Sequence, residues 1–196
     1  MADAPRLAVA VLAAGQSSRF GPADKLTACL RGQRLGELAC RTLADMPFAQ
    51  RWVIAARADH PCASSWQASG FTVAVNPQAA SGMGTSVALA ATLALDAQVD
   101  GLLIALADMP LVPAGHYHAL IARAGQLGAA ALVASAAGSV RSPPAVFGRD
   151  HLNVLAASQG DTGGRALLGQ AELIACAPDR LIDIDDPQAL EQARKL

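Results

Sequence analysis

Charged and aromatic side chains are scarce in this chain of 196 residues. Charged residues make up 16% of the sequence and aromatic residues 4%, whereas 53% of the residues are hydrophobic. This apolar share excludes an intrinsically disordered chain, because it is enough to bury a sizeable core. A net charge of −1 excludes a broad basic face for nucleic acid, while a local cationic pocket is compatible with it.

Long apolar runs, targeting signals and metal-binding cysteine motifs are also missing. No uninterrupted run reaches the roughly 18 apolar residues that a membrane span needs. Residues 1–6 have neither the basic region nor the cleavage site of a secretory signal. The four cysteines form no C-x-x-C pair and have no finger-like spacing to the four histidines, which argues against zinc. We therefore expect reduced thiols in a cytoplasmic protein, with no nucleic-acid or membrane partner.

Apolar runs alternate with helical patterns along the chain, which is typical of an α/β fold. Strands are predicted at 7–12, 52–55, 72–75, 102–106, 130–134, 145–147, 173–176 and 181–184. Helices are predicted at 35–43, 84–95, 116–123, 152–157, 164–168 and 187–195. No repeat, charge block or linker divides the chain. The sequence thus predicts a single domain over residues 1–196, with a mostly parallel central sheet flanked by helices.

A loop after the first predicted strand carries the strongest functional signal. It reads LAAGQSSRFGPADK over residues 12–25 and leaves the carboxyl end of a strand, where open α/β sheets bind ligands. It combines glycines that let the backbone approach a phosphate, serine donors and cations: Gly15, Gly21, Ser17, Ser18, Arg19 and Lys25. Neither a Walker motif nor G-x-G-x-x-G is present, since Leu26 follows Lys25. A glycine-rich surface turn with incidental charges is the alternative.

Aspartates stand at two further predicted strand ends. Asp108 follows an apolar strand in the sequence ADMP, where a carboxylate can coordinate Mg²⁺ or simply form a turn. In DIDDP, strand alternation places Asp183 and Asp185 on one face. We favour Asp185 as the second metal ligand, because hydrogen bonds to neighbouring backbone explain Asp183 equally well. Asp186 precedes Pro187 and can cap the last helix.

Three other segments carry groups that can contact a ligand. Residues 76–86 form a glycine-rich loop before a helix, whose amides and hydroxyls can contact a base, a ribose or a phosphate. Capping of that helix by Thr85 or Ser86 is the alternative. The segments RSPPAVF (141–147) and GDTGGR (160–165) follow. Arg165 can bind an acceptor phosphate or lie in solvent at a helix start.

In their order along the chain, these motifs resemble the molybdenum-cofactor nucleotidyltransferases of the MobA-like NTP transferase family. The resemblance covers LAAGQSSRFG with DK, N-P…G-x-x-x-S, A-D-M-P, P-P-A-x-F, G-D-x-G and D-x-D-x-P, and so nearly the whole chain. Three positions depart from the pattern. Asp186 and Gln188 replace the usual threonine and glutamate of the last motif, and Gly164 replaces an alanine.

The resemblance implies a Rossmann-like NTP-transferase fold, Mg²⁺ as cofactor and a set of site residues. Arg19, Lys25 and Asp108 would be catalytic, with Asp108 and Asp185 holding the metal. The nucleotide would be bound by Leu12, Ala13, Ala14, Gly15, Ser17, Ser18, Arg19, Lys25, Asn76, Gly82, Ser86 and Asp108. The acceptor would be bound by Pro144 and Arg165.

The substrates implied are a nucleoside triphosphate and a phosphorylated acceptor, with release of pyrophosphate. The glycine loop and PPAVF look more like the branch that transfers CMP from CTP to the molybdopterin-bound cofactor, although some members of that branch have G-H/N-P-x-L-F instead. Transfer of GMP from GTP to the same cofactor, or reaction with another phosphorylated acceptor, are alternatives. A carrier that hands the cofactor to a molybdoenzyme is the non-enzymatic alternative.

Overall fold

Strands and helices alternate in the computed structural model, which describes residues 5–15, 20, 24–160 and 164–196, with the backbone alone at Arg165. The strands over these residues are β1 (Leu7–Ala13), β2 (Cys29–Leu30), β3 (Gln33–Arg34), β4 (Gln50–Ala55), β5 (Thr72–Val75), β6 (Gly101–Leu106), β7 (Leu132–Ala137), β8 (Val140–Gly148) and β9 (Glu172–Ala175). The α-helices are α1 (Leu35–Leu43), α2 (Ala63–Ala68), α3 (Met83–Asp96), α4 (Ala114–Leu127), α5 (Arg149–Ala156), α6 (Arg165–Leu168) and α7 (Pro187–Arg194).

Seven strands form one sheet in the order β5-β4-β1-β6-β8-β7-β9, and β2 pairs separately with β3. Four of the six pairings in the large sheet are parallel, while β8 runs antiparallel to both neighbours. The predicted α/β fold with a mostly parallel sheet is therefore confirmed. β1 is buried along its whole length, which explains why its sequence is apolar throughout rather than alternating.

The register of the parallel strands aligns their carboxyl ends. Leu12 in β1 pairs with Ile54 in β4 and with Leu106 in β6. The amide of Ala107 donates to the carbonyl of Leu12 at 3.0 Å, which extends this pairing one residue beyond β6. The loops that follow β1 and β6 therefore open at the same edge of the sheet, where ligands bind in folds of this kind.

Small residues let α3 pack closely against its neighbours. Its buried positions include Gly84, Ala90, Ala91 and Ala94. A Cβ atom on Gly84 would lie 2.6 Å from the carbonyl oxygen of Gly160, and the Gly84 amide donates to that oxygen at 2.7 Å. The glycine thus permits a backbone contact that any side chain would block.

The strand predicted at residues 181–184 is wrong. These residues lie outside every strand of the structure. The amide of Ile184 donates to the carbonyl of Asp108 at 2.9 Å, so the segment bonds to the loop after β6 instead of pairing with a strand. Ile184 is fully buried, and its apolar character reflects this packing rather than a place in the sheet.

All four cysteines lie in the described part of the chain, and none forms a disulfide. Cys29, Cys40, Cys62 and Cys176 carry free thiols. Burial, with the charge of Glu37, raises the pKa of the Cys62 thiol to about 11, so this thiol stays protonated at neutral pH.

Within the described ranges, no helix is long and apolar enough to cross a membrane.

Candidate active site

Lys25 lies among three aspartates at the carboxyl edge of the sheet. Its Nζ atom lies 2.6 Å from Oδ2 of Asp108, 2.7 Å from Oδ1 of Asp185 and 3.9 Å from Oδ1 of Asp183. The lysine side chain is 7% exposed, whereas those of Asp183 and Asp185 are nearly half exposed. One buried ammonium group therefore faces three carboxylates, and two of them, Asp183 and Asp185, are open to solvent.

Local hydrogen bonds explain how two distant segments come together here. Asp108 leaves β6 in a turn, in which the amide of Met109 donates to the carbonyl of Leu106 at 3.3 Å. The bond from Ile184 to the Asp108 carbonyl then attaches residues 183–185 to this turn. Oδ1 of Asp186 caps α7 by accepting from the amide of Ala189 at 2.8 Å, as the sequence predicts. Asp186 thus caps α7, whereas Asp185 contacts Lys25.

The charges shift two pKa values in this cluster. Burial alone would lower the pKa of Lys25, but its charge interactions and hydrogen bonds with Asp108 and Asp185 raise it, so the ammonium stays charged. Burial, and then repulsion from Asp108, raise the pKa of Asp183 to about 7. Asp183 therefore takes up a proton more readily than an ordinary aspartate, because it is partly buried close to a second carboxylate.

The carboxylates fit a divalent metal ion. Asp108, Asp183 and Asp185 each offer a ligand atom, and these atoms lie within 4.8 Å of one another. Oδ1 of Asp108 is buried and finds no hydrogen-bond partner among the described residues. Oxygen ligands of this kind suit Mg²⁺ or Mn²⁺, and an unsatisfied buried oxygen is a group that a cation would satisfy. The structure brings Asp183 into this cluster together with the two aspartates favoured from the sequence.

A network behind Lys25 holds its segment in place, and no sequence motif predicts this network. Asp24 accepts from the amide of Leu26 at 3.0 Å and contacts Nε2 of His60 at 2.7 Å. The amide of Cys62 donates to Nδ1 of His60 at 3.0 Å. His60 belongs to no sequence motif, and its contact with Asp24 exists only in the folded chain.

The loop before α3 is held together from within. The buried side chain of Asn76 donates to the hydroxyls of Thr85 and Ser86, both at 2.9 Å, and accepts from the amide of Gln78. Gly82 is the N-terminal cap residue of α3, without a side-chain cap bond and with φ of 108°. The alternative of capping by Thr85 or Ser86 is therefore wrong, because both residues lie inside the first turn of α3 and neither accepts from its first amides.

The remaining residues predicted for the nucleotide lie at the end of β1. Leu12, Ala13 and Ala14 are buried, while Gly15 is exposed and a Cβ atom there would meet no described atom within 4 Å. The predicted residues Ser17, Ser18 and Arg19 lie outside the described part of the chain, as does Gly21.

A cavity of about 680 Å³ lies beside the carboxylates. Asp183 is part of its wall, and so is Leu12 at the end of β1. Most of the remaining wall is apolar, with Met83, Val87, Ile104, Leu106, Met109, Val140, Pro143, Ala145, Phe147, Leu168 and Leu181 as its larger part. Arg141 and Ser142 are its other polar side chains among the described residues.

Pro144 and Arg165 are the two residues predicted to bind the acceptor, and the structure describes the side chain of Pro144 only. Pro144 is absent from the described wall of the cavity, where Pro143 takes its place. Pro144 lies in β8, and its carbonyl accepts from the buried hydroxyl of Ser135 in β7 at 2.7 Å. Arg165 begins α6, next to Gly164 of the cavity wall, and its side chain is outside the described atoms.

Comparison with known proteins identifies sequence relatives of the whole chain. The family model described as MobA-like NTP transferase domain matches residues 9–175. The purine catabolism protein PucB of Bacillus subtilis (strain 168) is 30% identical, over 97% of this chain and 97% of that protein.

Solved structures show the same fold. One is Rv0371C from Mycobacterium tuberculosis H37Rv in complex with manganese, with 18% identity, a TM-score of 0.71, and 97% of this chain and 98% of that chain covered. Another is molybdopterin-guanine dinucleotide biosynthesis protein A from Archaeoglobus fulgidus, with 15% identity, a TM-score of 0.64, and 96% and 97% covered. At these identities the likeness concerns the fold alone.

Proposed function

The chain belongs to the MobA-like NTP transferase family, and from that premise we propose that it transfers CMP from CTP to a molybdopterin-type phosphorylated acceptor. The observation that carries this proposal is the cluster of Lys25 and three carboxylates beside an apolar cavity, whose wall includes Asp183 and Leu12 at the end of β1. Groups whose chemistry suits phosphate and metal thus lie next to a cavity that can hold a second substrate. The free thiols support a cytoplasmic location.

The proposed transfer joins two phosphates. An oxygen of the acceptor phosphate attacks the α-phosphorus of CTP, the bond from that phosphorus to the α–β bridging oxygen breaks, and the electron pair leaves with pyrophosphate. The attacking phosphate is already anionic, so positioning and charge neutralisation carry the catalysis. In this proposal Lys25 donates to the phosphate oxygens, and Arg19 does the same for the departing pyrophosphate.

Asp108, Asp183 and Asp185 are the residues that would hold Mg²⁺. A bound Mg²⁺ supplies Lewis-acid stabilisation of the charge that develops on the phosphate oxygens. The buried Oδ1 of Asp108, unpartnered within the described residues, supports Asp108 as the main ligand. The mycobacterial structure of this fold was solved as a complex with manganese, which supports a divalent ion as the cofactor.

The shape and chemistry of the cavity support an acceptor with a ring system. Its wall is mostly apolar and includes Phe147 and Pro143, which suits an acceptor with an apolar ring. A sugar phosphate would instead need several hydrogen-bonding side chains, and the described wall offers Arg141, Ser142 and Asp183. The name of the Archaeoglobus structure supports molybdopterin, whereas that of the Bacillus relative refers to purine catabolism and mentions no acceptor.

Nucleotide and acceptor can be tested together. Purified protein with Mg²⁺ is given CTP, GTP, ATP or UTP, with and without the molybdopterin cofactor, and pyrophosphate release and product mass are recorded. We expect pyrophosphate with CTP and cofactor together, and a product heavier than the cofactor by one CMP. Turnover with GTP would assign the guanylyl reaction, and turnover with another phosphorylated acceptor would refute molybdopterin. No turnover with CTP or GTP and cofactor would refute the proposal.

Asp108→Asn separates a transferase from a cofactor carrier. The variant loses a charged oxygen ligand, so we expect kcat to fall about 100-fold or more while the protein stays folded. Asp45→Asn is the matched control, because Asp45 is exposed on the surface. A carrier would keep its cofactor binding and its delivery to a molybdoenzyme in both variants.

A further inference from the structure

Lys25 can act on a phosphate only if its segment is held in place, and His60 is part of what holds it. We propose that His60 is a positioning residue, which fixes Asp24 and through Asp24 sets the place of the Lys25 ammonium group. This inference rests on the proposed role of Lys25 in nucleotidyl transfer. His60 lies on neither the carboxylate cluster nor the wall of the cavity.

The hydrogen bonds assign one tautomer to His60. The amide of Cys62 donates to Nδ1, so Nδ1 carries no proton in the neutral ring. Nε2 therefore carries the proton and donates it to Oδ2 of Asp24 at 2.7 Å. A single ring thus connects the backbone before α2 to the residue that precedes Lys25.

Packing fixes the orientation of the His60 ring. The ring is 6% exposed and stacks on Trp66, with ring centroids 4.7 Å apart and planes 19° apart. Trp66 is itself fully buried and donates from Nε1 to the carbonyl of Gly36 at 2.7 Å. The donor that faces Asp24 is therefore held in a defined direction before any substrate binds.

Asp24 transmits this orientation to Lys25. One carboxylate oxygen of Asp24 contacts His60, and the other caps the 3₁₀ turn Lys25–Thr27 by accepting from the amide of Leu26. The hydroxyl of Thr27 donates to the Asp24 carbonyl at 2.7 Å and completes the turn. Rotation of Asp24 would shift the first residue of this turn, which is Lys25 itself. Displacements of about 1 Å in such an arrangement are enough to reduce turnover strongly.

Two substitutions at His60 separate positioning from simple packing. The amide nitrogen of Gln reaches the place of Nε2 and keeps the bond to Asp24, whereas the oxygen of Asn reaches the place of Nδ1 and keeps only the bond from Cys62. Both variants lose the stacked ring. A merely structural role would therefore make His60→Asn and His60→Gln similar, and a positioning role makes them differ.

We expect His60→Asn to lower kcat about 10- to 100-fold with less than about a threefold change in the KM for CTP. His60→Gln keeps kcat within about threefold of the unsubstituted protein. Asp24→Asn keeps the acceptor for Leu26 but places an amide donor against Nε2, so it lowers kcat as His60→Asn does. The double variant His60→Asn/Asp24→Asn has a kcat no lower than that of either single variant, because both substitutions remove the same bond between residues 24 and 60.

Mn²⁺ binding without nucleotide gives a readout that does not depend on turnover. When Lys25 is less firmly held among the carboxylates, Mn²⁺ competes with it more easily, so His60→Asn binds Mn²⁺ more tightly than His60→Gln. Equal kcat and equal Mn²⁺ affinity in the two variants would overturn the role of His60. If the unsubstituted protein turns over no nucleotide, the proposed function fails, while the Mn²⁺ comparison still decides the positioning of Lys25.

Discussion

Replacing Lys25 by methionine should make the protein without nucleotide bind Mn²⁺ more tightly. The ammonium group lies within 2.7 Å of two carboxylates and 3.9 Å of the third, and so occupies the place that a cation would take. In the unsubstituted protein a metal ion must either displace this group or bind beside it. Methionine has a similar length and no charge, so Lys25→Met removes the competition while filling the space.

The size of the effect follows from the charges. A divalent ion about 4 Å from an ammonium group is repelled by about 2 kcal/mol in water and by about 8 kcal/mol at an effective dielectric constant near 20. Lys25 is buried but Asp183 and Asp185 are nearly half exposed, so we take the lower figure as the minimum effect. About 2 kcal/mol corresponds to roughly a 30-fold increase in affinity.

The free Mn²⁺ signal in electron paramagnetic resonance measures this affinity directly. Lys195→Met is the matched control, because Lys195 is an exposed residue at the end of α7. The control should bind Mn²⁺ as the unsubstituted protein does. Unchanged or weaker Mn²⁺ binding by Lys25→Met would refute the idea that lysine and metal compete for the same carboxylates.

Two further predictions concern stability. Asp183 has a pKa of about 7 in the folded protein, against about 3.9 in the unfolded chain. Between these pH values the folded protein holds a proton on Asp183 that the unfolded chain has lost. In EDTA, which removes metal ions, the free energy of unfolding should therefore fall as the pH rises through this range. Asp183→Asn should flatten that slope in urea unfolding, and an unchanged slope would assign the titration to another group. Gly84→Ala should cost about 1–3 kcal/mol, because its Cβ would lie 2.6 Å from the Gly160 carbonyl. Gly115→Ala, whose Cβ meets no described atom within 4 Å, should cost nothing, and equal urea midpoints for the two would contradict the contact.

Much of the sheet could be predicted from local sequence patterns. The strand Thr72–Val75 and the helix Leu35–Leu43 were predicted with the bounds that the structure gives them. Asp108 stands after an apolar strand, and parallel strands place their carboxyl ends at one edge, so its position near the glycine loop could be expected. These features depend on periodicity and strand direction, which a single sequence contains.

Features that depend on a distant partner could not be predicted. Residues 181–184 have the apolar pattern of a strand, but their partner is the carbonyl of Asp108. The role of Asn76 in holding its own loop depends on hydroxyls that only the folded chain brings near it. His60 belongs to no motif, and Asp24, which it contacts, lies 36 residues earlier in the chain. In each case a local pattern is ambiguous until the partner is known.

The most direct test of the central claim follows the label of radioactive CTP during turnover with Mg²⁺ and the molybdopterin cofactor. Phosphorus-32 at the α-position should enter the cofactor product, and phosphorus-32 at the γ-position should leave as pyrophosphate. Both the entry of the α-label into the product and the release of the γ-label should be nearly lost in Asp108→Asn and kept in Asp45→Asn. Label that stays in CTP under all conditions, or α-label that never reaches the cofactor, would contradict nucleotidyl transfer to this acceptor.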